Sequence, residues 1–121
     1  LPANSLSANT KGVRIRAWGT SANNGNAKTV KVYFGTQIVE TLALTVSQVN
    51  TWVAESTVWR TGVGTQDWQS FMIQAGTATV TDVESGTATQ NETLALTIKC
   101  TGEGVATADI VQEGLLVEFL N

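Results

Sequence analysis

The 121-residue chain carries ten carboxylates, four tryptophans and one cysteine but no histidine, and these residues bound the chemistry open to it. Without histidine there is no Ser-His-Asp or Cys-His nucleophile and no imidazole-ligated metal. Paired carboxylates remain, because two of them flanking a sugar linkage suffice for glycoside hydrolysis. The candidates are Asp82 with Glu84, Glu92, Glu103 with Asp109, and Glu113 with Glu118. Glu113 and Glu118 differ by an odd number of residues, so an extended strand points them to opposite faces. Asp82 and Glu84 share a face, but at a loop margin with no aromatic platform near them in sequence. These acids read as solvated charges flanking strands, and no catalytic residue is assigned. Glu103 and Asp109 lie in one connector without the D-x-D-x-D-G pattern of a calcium loop. Gly102-Glu103-Gly104 is a turn, since no helix follows to make it a phosphate cradle. Neither a metal nor a cofactor is expected. The lone Cys100 cannot form an internal disulfide. It is in phase with Leu94, Leu96 and Ile98, as a buried small hydrophobe would be.

The aromatic set is more suggestive. Trp18, Trp52, Trp59 and Trp68 are many for so short a chain. Large aromatics stack on sugars and anchor subunit interfaces, and they also fill cores; the sequence leaves both readings open. Trp59-Arg60 and Asp67-Trp68 flank the loop Thr61-Gly-Val-Gly-Thr-Gln66. If the flanking strands form a hairpin, both indoles lie near its mouth. Trp59, Arg60, Gln66 and Trp68 are therefore the candidate contacts for a partner or ligand.

The elements that must position these residues are strands. Residues 13–18 alternate, with Val13, Ile15 and Ala17 opposite Arg14, Arg16 and Trp18, which is the pattern of a half-buried strand. Gly19–Lys28 contains Asn-Asn-Gly and reads as a loop. Thr29–Phe34 turns Val30, Val32 and Phe34 inward, and Gly35-Thr36-Gln37 is a tight turn. In Ile38–Val46 the residues Ile38, Leu42, Leu44 and Val46 are in phase and Glu40 is the exception, which a bulge or an edge position would accommodate. Ser47–Thr51 is a polar loop. Trp52–Arg60 and Trp68–Ala75 are strands, Thr77–Val83 is a weaker one, and Glu84–Asn91 is a long loop. Two apolar strands within Leu94–Asn121 close the chain and supply the expected core residues Leu96, Ile98, Leu115, Val117 and Phe119. No window carries helical periodicity. About eight strands with Gly and Asn turns predict a single-domain, all-β antiparallel sandwich of the jelly-roll type. Residues 1–10 form an N-terminal arm or short edge strand, and 11–121 the sandwich.

Composition agrees. Only 14% of residues are charged, against about 25% in an average soluble protein, and there are nineteen Thr, a residue that suits strands. A net charge of −3 gives no basic patch for nucleic acid. No run reaches the roughly 18 apolar residues of a membrane span, and no signal peptide is visible. Because residue 1 is Leu, the chain reads as a fragment, a processed product or part of something larger.

Four phrases carry a family resemblance: LPANSLSANTKGVRIRAWGT (1–20), KTVKVYFG (28–35), WRTGVGTQ (59–66) and TIKCTGEGVATADIVQEGLLVEFL (97–120). In order and over nearly the whole chain, they resemble a β-domain of tailed-bacteriophage virion proteins found in tail fibres, appendages and capsid surface proteins. The match is weakest over Phe71–Asn91, and no active-site residue comes with it. The resemblance implies a non-enzymatic structural module on the surface of the phage particle. It implies a homo-oligomer, commonly a trimer, in contact with other virion proteins and with a host-surface glycan as a further partner. Two placements fit: a capsid decoration or head fibre, with Leu1–Thr10 as its anchor, or a tail-fibre domain contributing to host attachment, joined to a longer N-terminal chain. The alternative is a carbohydrate-binding module of a secreted or virion-associated enzyme.

Overall fold

The computed structural model describes residues 1–120; Asn121, the end of the last expected strand, lies outside the described residues. Eight strands form and, among the described residues, no helix: β1 (Gly12–Ser21), β2 (Lys28–Phe34), β3 (Gln37–Leu44), β4 (Asn50–Gly62), β5 (Thr65–Ala75), β6 (Val80–Ala88), β7 (Ile98–Glu103) and β8 (Ile110–Leu120). They make a five-stranded sheet, β6-β5-β4-β1-β8, and a three-stranded sheet, β3-β2-β7. Every pairing is antiparallel. The expected all-β antiparallel sandwich is what the chain forms. Its jelly-roll character lies in the nested pairs β1–β8 and β2–β7, while β4-β5-β6 is a plain meander.

The period-two pattern explains the layers. Val13, Ile15 and Ala17 of β1, Val30, Val32 and Phe34 of β2, and Trp52, Ala54 and Val58 of β4 all face the space between the sheets and are buried. Burying such residues is what holds the layers together, at roughly 25 cal/mol per Å² of apolar surface removed from water. The bulge expected near Glu40 is present. Val32 pairs with Glu40 and Tyr33 with Ile38, leaving Val39 as the extra residue. A bulge re-aims side chains, and here both Val39 and Glu40 end up buried.

Several expected boundaries move. The loop read at Thr61–Gln66 shrinks to Val63-Gly64, because β4 and β5 continue until Gly62 faces Thr65; Gly64 takes φ +65° to close this turn. The loop read at Glu84–Asn91 is strand as far as Ala88. Leu94 is exposed and precedes β7. The arm is no strand. It is fastened to the domain by Leu6, which is buried in the core, and by paired backbone bonds between Leu1 and Leu96.

The largest correction concerns β8. Its inner face was expected in the core, but Leu115 and Phe119 are exposed and Leu96, Ile98 and Val117 only half-buried. The face assignment is right, since β8 pairs Leu115, Val117 and Phe119 with the buried Ala17, Ile15 and Val13. The cover is missing because the two layers are of unequal width and β8 is the terminal strand of the wider one.

Candidate functional site

The four candidate contacts divide between two faces. Register places Trp59 opposite Asp67 and Arg60 opposite Gln66. Trp68 is only 8% exposed and Gln66 is fully buried. Trp59 is half-buried on the outer face, in a shallow groove that Asp67, Gln69 and Thr87 line with it and to which the largely buried Trp68 also contributes. The hairpin therefore does not present a paired aromatic platform.

All four indoles have one explanation that the sequence did not suggest. Each is the direct cross-strand partner of a glycine: Trp59 of Gly12, Trp52 of Gly19, Trp68 of Gly86 and Trp18 of Gly114. Trp52, Trp68 and Trp18 lie flat across the bare glycine backbone, where even one added carbon would meet the ring. A cross-strand aromatic covering a glycine restores the packing that the missing side chain forfeits. Trp18, like Trp59, lies on the outer face, and it is still 38% exposed.

Arg60 and Gln66 are committed internally, to Glu92. The Arg60 Nε donates to Glu92 Oε1 at 2.8 Å, the Gly64 N–H reaches both carboxylate oxygens at 2.9 Å, and Gln66 Nε2 donates to Oε2 at 3.3 Å. Arg60 Nη1 also donates to Asn9 Oδ1 at 2.9 Å, and the Asn4 N–H to the Glu92 carbonyl at 2.8 Å. The Gly64 N–H, then the Arg60 guanidinium, hold the Glu92 carboxyl below its usual range against the opposing effect of burial. One carboxylate thus ties together the β4–β5 turn, the segment before β7 and the N-terminal arm.

Asp109 is a second such hub, and the opposite of a cation site. Its carboxylate accepts from Asn24 Nδ2 at 2.7 Å, from Asn26 Nδ2, and from the backbone N–H groups of Val105 and Ala106 at 2.9 and 2.8 Å. These donors, Asn24 first, hold it down to about 2. Glu103 takes no part and pairs with Lys31 at 2.6 Å. Cys100 is half-buried on β7, and burial raises its thiol to about 11, which fits a packing role.

A different acidic group gathers at the β3/β6 edge. One carboxylate oxygen from each of Glu40, Asp82 and Glu84 lies within 4.8 Å of the other two. Asp82 and Glu84 share the inner face of β6, as the sequence predicts, and Glu40 comes from the opposite sheet. Burial is the main cause raising Glu40 to about 7, with Glu84 and Asp82 adding to it; the Ser70 hydroxyl and Thr41 N–H pull the other way. The salt bridges found among the described residues involve none of the three acids.

The most extensive surface feature is β8. Its outward edge has no partner strand. Phe119 is 54% and Leu116 46% exposed, and Val111 and Leu115 are exposed with them. On the inner side Phe119 and Val117 join Leu1, Pro2, Leu96 and Ile98 around an apolar cleft of about 480 Å³. On the outer side Leu116 adjoins Trp18, Arg16 and Val53 around a second groove of about 460 Å³. Long, flat, apolar edges are what monomeric proteins avoid. A comparison with protein-family models, curated proteins and solved structures returns no match for this chain.

Proposed function

We propose that this chain is a non-enzymatic structural module of a tailed-bacteriophage virion, displayed on the particle surface as a homo-oligomer whose subunits meet along β8. One observation supports the assembly reading above the others: the most apolar strand of the chain is an uncovered edge, with grooves on both sides of it. Neighbouring copies packed there would cover Leu115, Leu116 and Phe119. An interface of standard size takes about 800 Å² from each partner, a modest part of the 6047 Å² surface of the chain. The phage context rests on the phrases at 1–20, 28–35, 59–66 and 97–120. A trimer is the expected assembly, in contact with other virion proteins and, in the tail-fibre placement, with a host-surface glycan. Between the two placements, the arm's attachment to its own domain through Leu1 and Leu6 favours a module joined to other chain segments over a decoration anchored by that arm.

The carbohydrate-binding alternative moves to a different residue. With Trp68 buried, a sugar platform would be Trp18, flat on the outer face beside Arg16. Sedimentation equilibrium separates the two readings. The expected result is a trimer that Leu116→Glu with Phe119→Asp converts to a folded monomer. A wild-type monomer whose oligosaccharide affinity disappears in Trp18→Ala would overturn the structural reading.

A further inference from the structure

We propose that Glu40, Asp82 and Glu84 form a binding site for a calcium ion that clips the two sheets together at the edge opposite β8. Three oxygens within 4.8 Å of one another fit ligands around one centre. Oxygens that bind a Ca²⁺ ion at about 2.4 Å can be at most about 4.8 Å apart.

The neighbouring groups argue independently for a ligand. Glu40 is fully buried, and its Oε1 accepts the Thr41 N–H at 2.9 Å while Oε2 has no partner. The Ser70 Oγ, also buried, faces this carboxylate without completing a hydrogen bond. A buried carboxylate oxygen and a buried hydroxyl left unpaired side by side are costly, and a cation between them satisfies both. No lysine or arginine supplies that charge. The ion pairs among the described residues lie at Arg14, Lys31 and Arg60, and Lys28 Nζ is held by the Asn24 and Asn26 oxygens.

The fold makes the placement deliberate. The bulge at Val39 turns Glu40 inward. Register sets Ser70 directly opposite Glu84 and Met72 opposite Asp82, so Ser70 and the two β6 acids share the face that meets Glu40. Both β3 and β6 are terminal strands, and Asp82 and Glu84 are partly exposed, so the site is open to solvent from the β6 side. Hard oxygen donors spaced this widely suit Ca²⁺ better than Mg²⁺, which demands stricter octahedral geometry at shorter distances. Zinc would favour Cys or His; the chain has no His, and its one Cys lies on β7. The site is independent of how the module assembles.

The test is calorimetric titration of chelator-treated protein with CaCl₂, together with thermal unfolding in EDTA and in excess Ca²⁺. One ion per chain should bind, and Tm should rise by about 10 °C at 100-fold excess over Kd. Glu40→Gln and Asp82→Asn should each abolish both effects, while Glu113→Gln keeps them. Absence of binding and of any Tm response in the wild-type protein overturns the proposal, and needs no variant to fold. So does a Ca²⁺ response that survives unchanged in Asp82→Asn.

Discussion

Replacing Glu92 by Ala should unfold the sandwich from the hairpin end, and the size of the effect follows from its contacts. The substitution removes the carboxylate that accepts Arg60 Nε, the Gly64 N–H and Gln66 Nε2. It leaves a guanidinium of which only 11% of the side chain is exposed with Asn9 as its remaining partner. Removing one member of a buried pair costs about 3–5 kcal/mol; the surviving Asn9 bond places the expected loss near the lower end, about 3 kcal/mol. An unfolding entropy of about 2.1 cal/mol/K per residue gives roughly 4 °C per kcal/mol for a chain of this length, hence a Tm lowered by about 12 °C. Glu92→Gln keeps one acceptor oxygen and should lose about half as much. Circular dichroism melts of wild type, both variants, Arg60→Ala and the Arg60→Ala/Glu92→Ala pair measure the loss and the coupling. A Glu92→Ala drop below about 4 °C, or no coupling between the two positions, would refute the idea that this carboxylate organises the hairpin and arm.

Two further outcomes follow. Gly19→Ala should be far worse than Gly25→Ala: the added carbon at Gly19 meets the Val111 carbonyl and the Trp52 ring, whereas Gly25 has open space. Chemical denaturation should show a loss of about 2–4 kcal/mol for the first and under about 1 kcal/mol for the second. Asp109 and Glu92 both have depressed carboxyls, so their stabilisation is present above the unfolded values near 4 and lost as pH falls through the lower folded ones, about 2 for Asp109. Tm measured between pH 5 and pH 2 should therefore fall less steeply in Asp109→Asn than in wild type; equal slopes would sink this assignment.

The strands and their faces were legible in the sequence because alternation reports directly which side chains point the same way. Val13, Ile15, Val30 and Val32 are buried as their phase requires. Alternation does not report what lies above a face. Leu115 and Phe119 have the right phase for a core, yet the three-stranded layer stops at β7 and leaves them open. Ser85-Gly86-Thr87 looked like a loop because the segment offers no large apolar residue; its packing comes from Trp68 lying over Gly86, a partner far off in sequence. For the same reason Arg60 and Gln66 looked like free contacts, since nothing local announces that Glu92 will occupy them. Glu40 was visible as an exception to its strand's pattern, and the pairing of Asp82 with Glu84 on one face was visible too. That the two belong together depends on β3 crossing over β6, which no short-range spacing encodes.

The place of β1 in the wider sheet has a consequence for synthesis. β1 pairs with β4 on one side and with β8 on the other. As the chain emerges, β4, β5 and β6 can assemble on β1 in order, but its second edge stays open until residues 110–120 have been made. At about 5–20 residues per second that interval is roughly 5–20 s. Once β4 has joined it, Gly12–Ser21 is a half-paired strand with apolar neighbours for the last part of that interval, the kind of template that captures other nascent chains. The exposed residues Arg14 and Arg16 in the middle of β1 place positive charge on that waiting edge. Charged side chains on a strand of this kind disfavour its association with other chains.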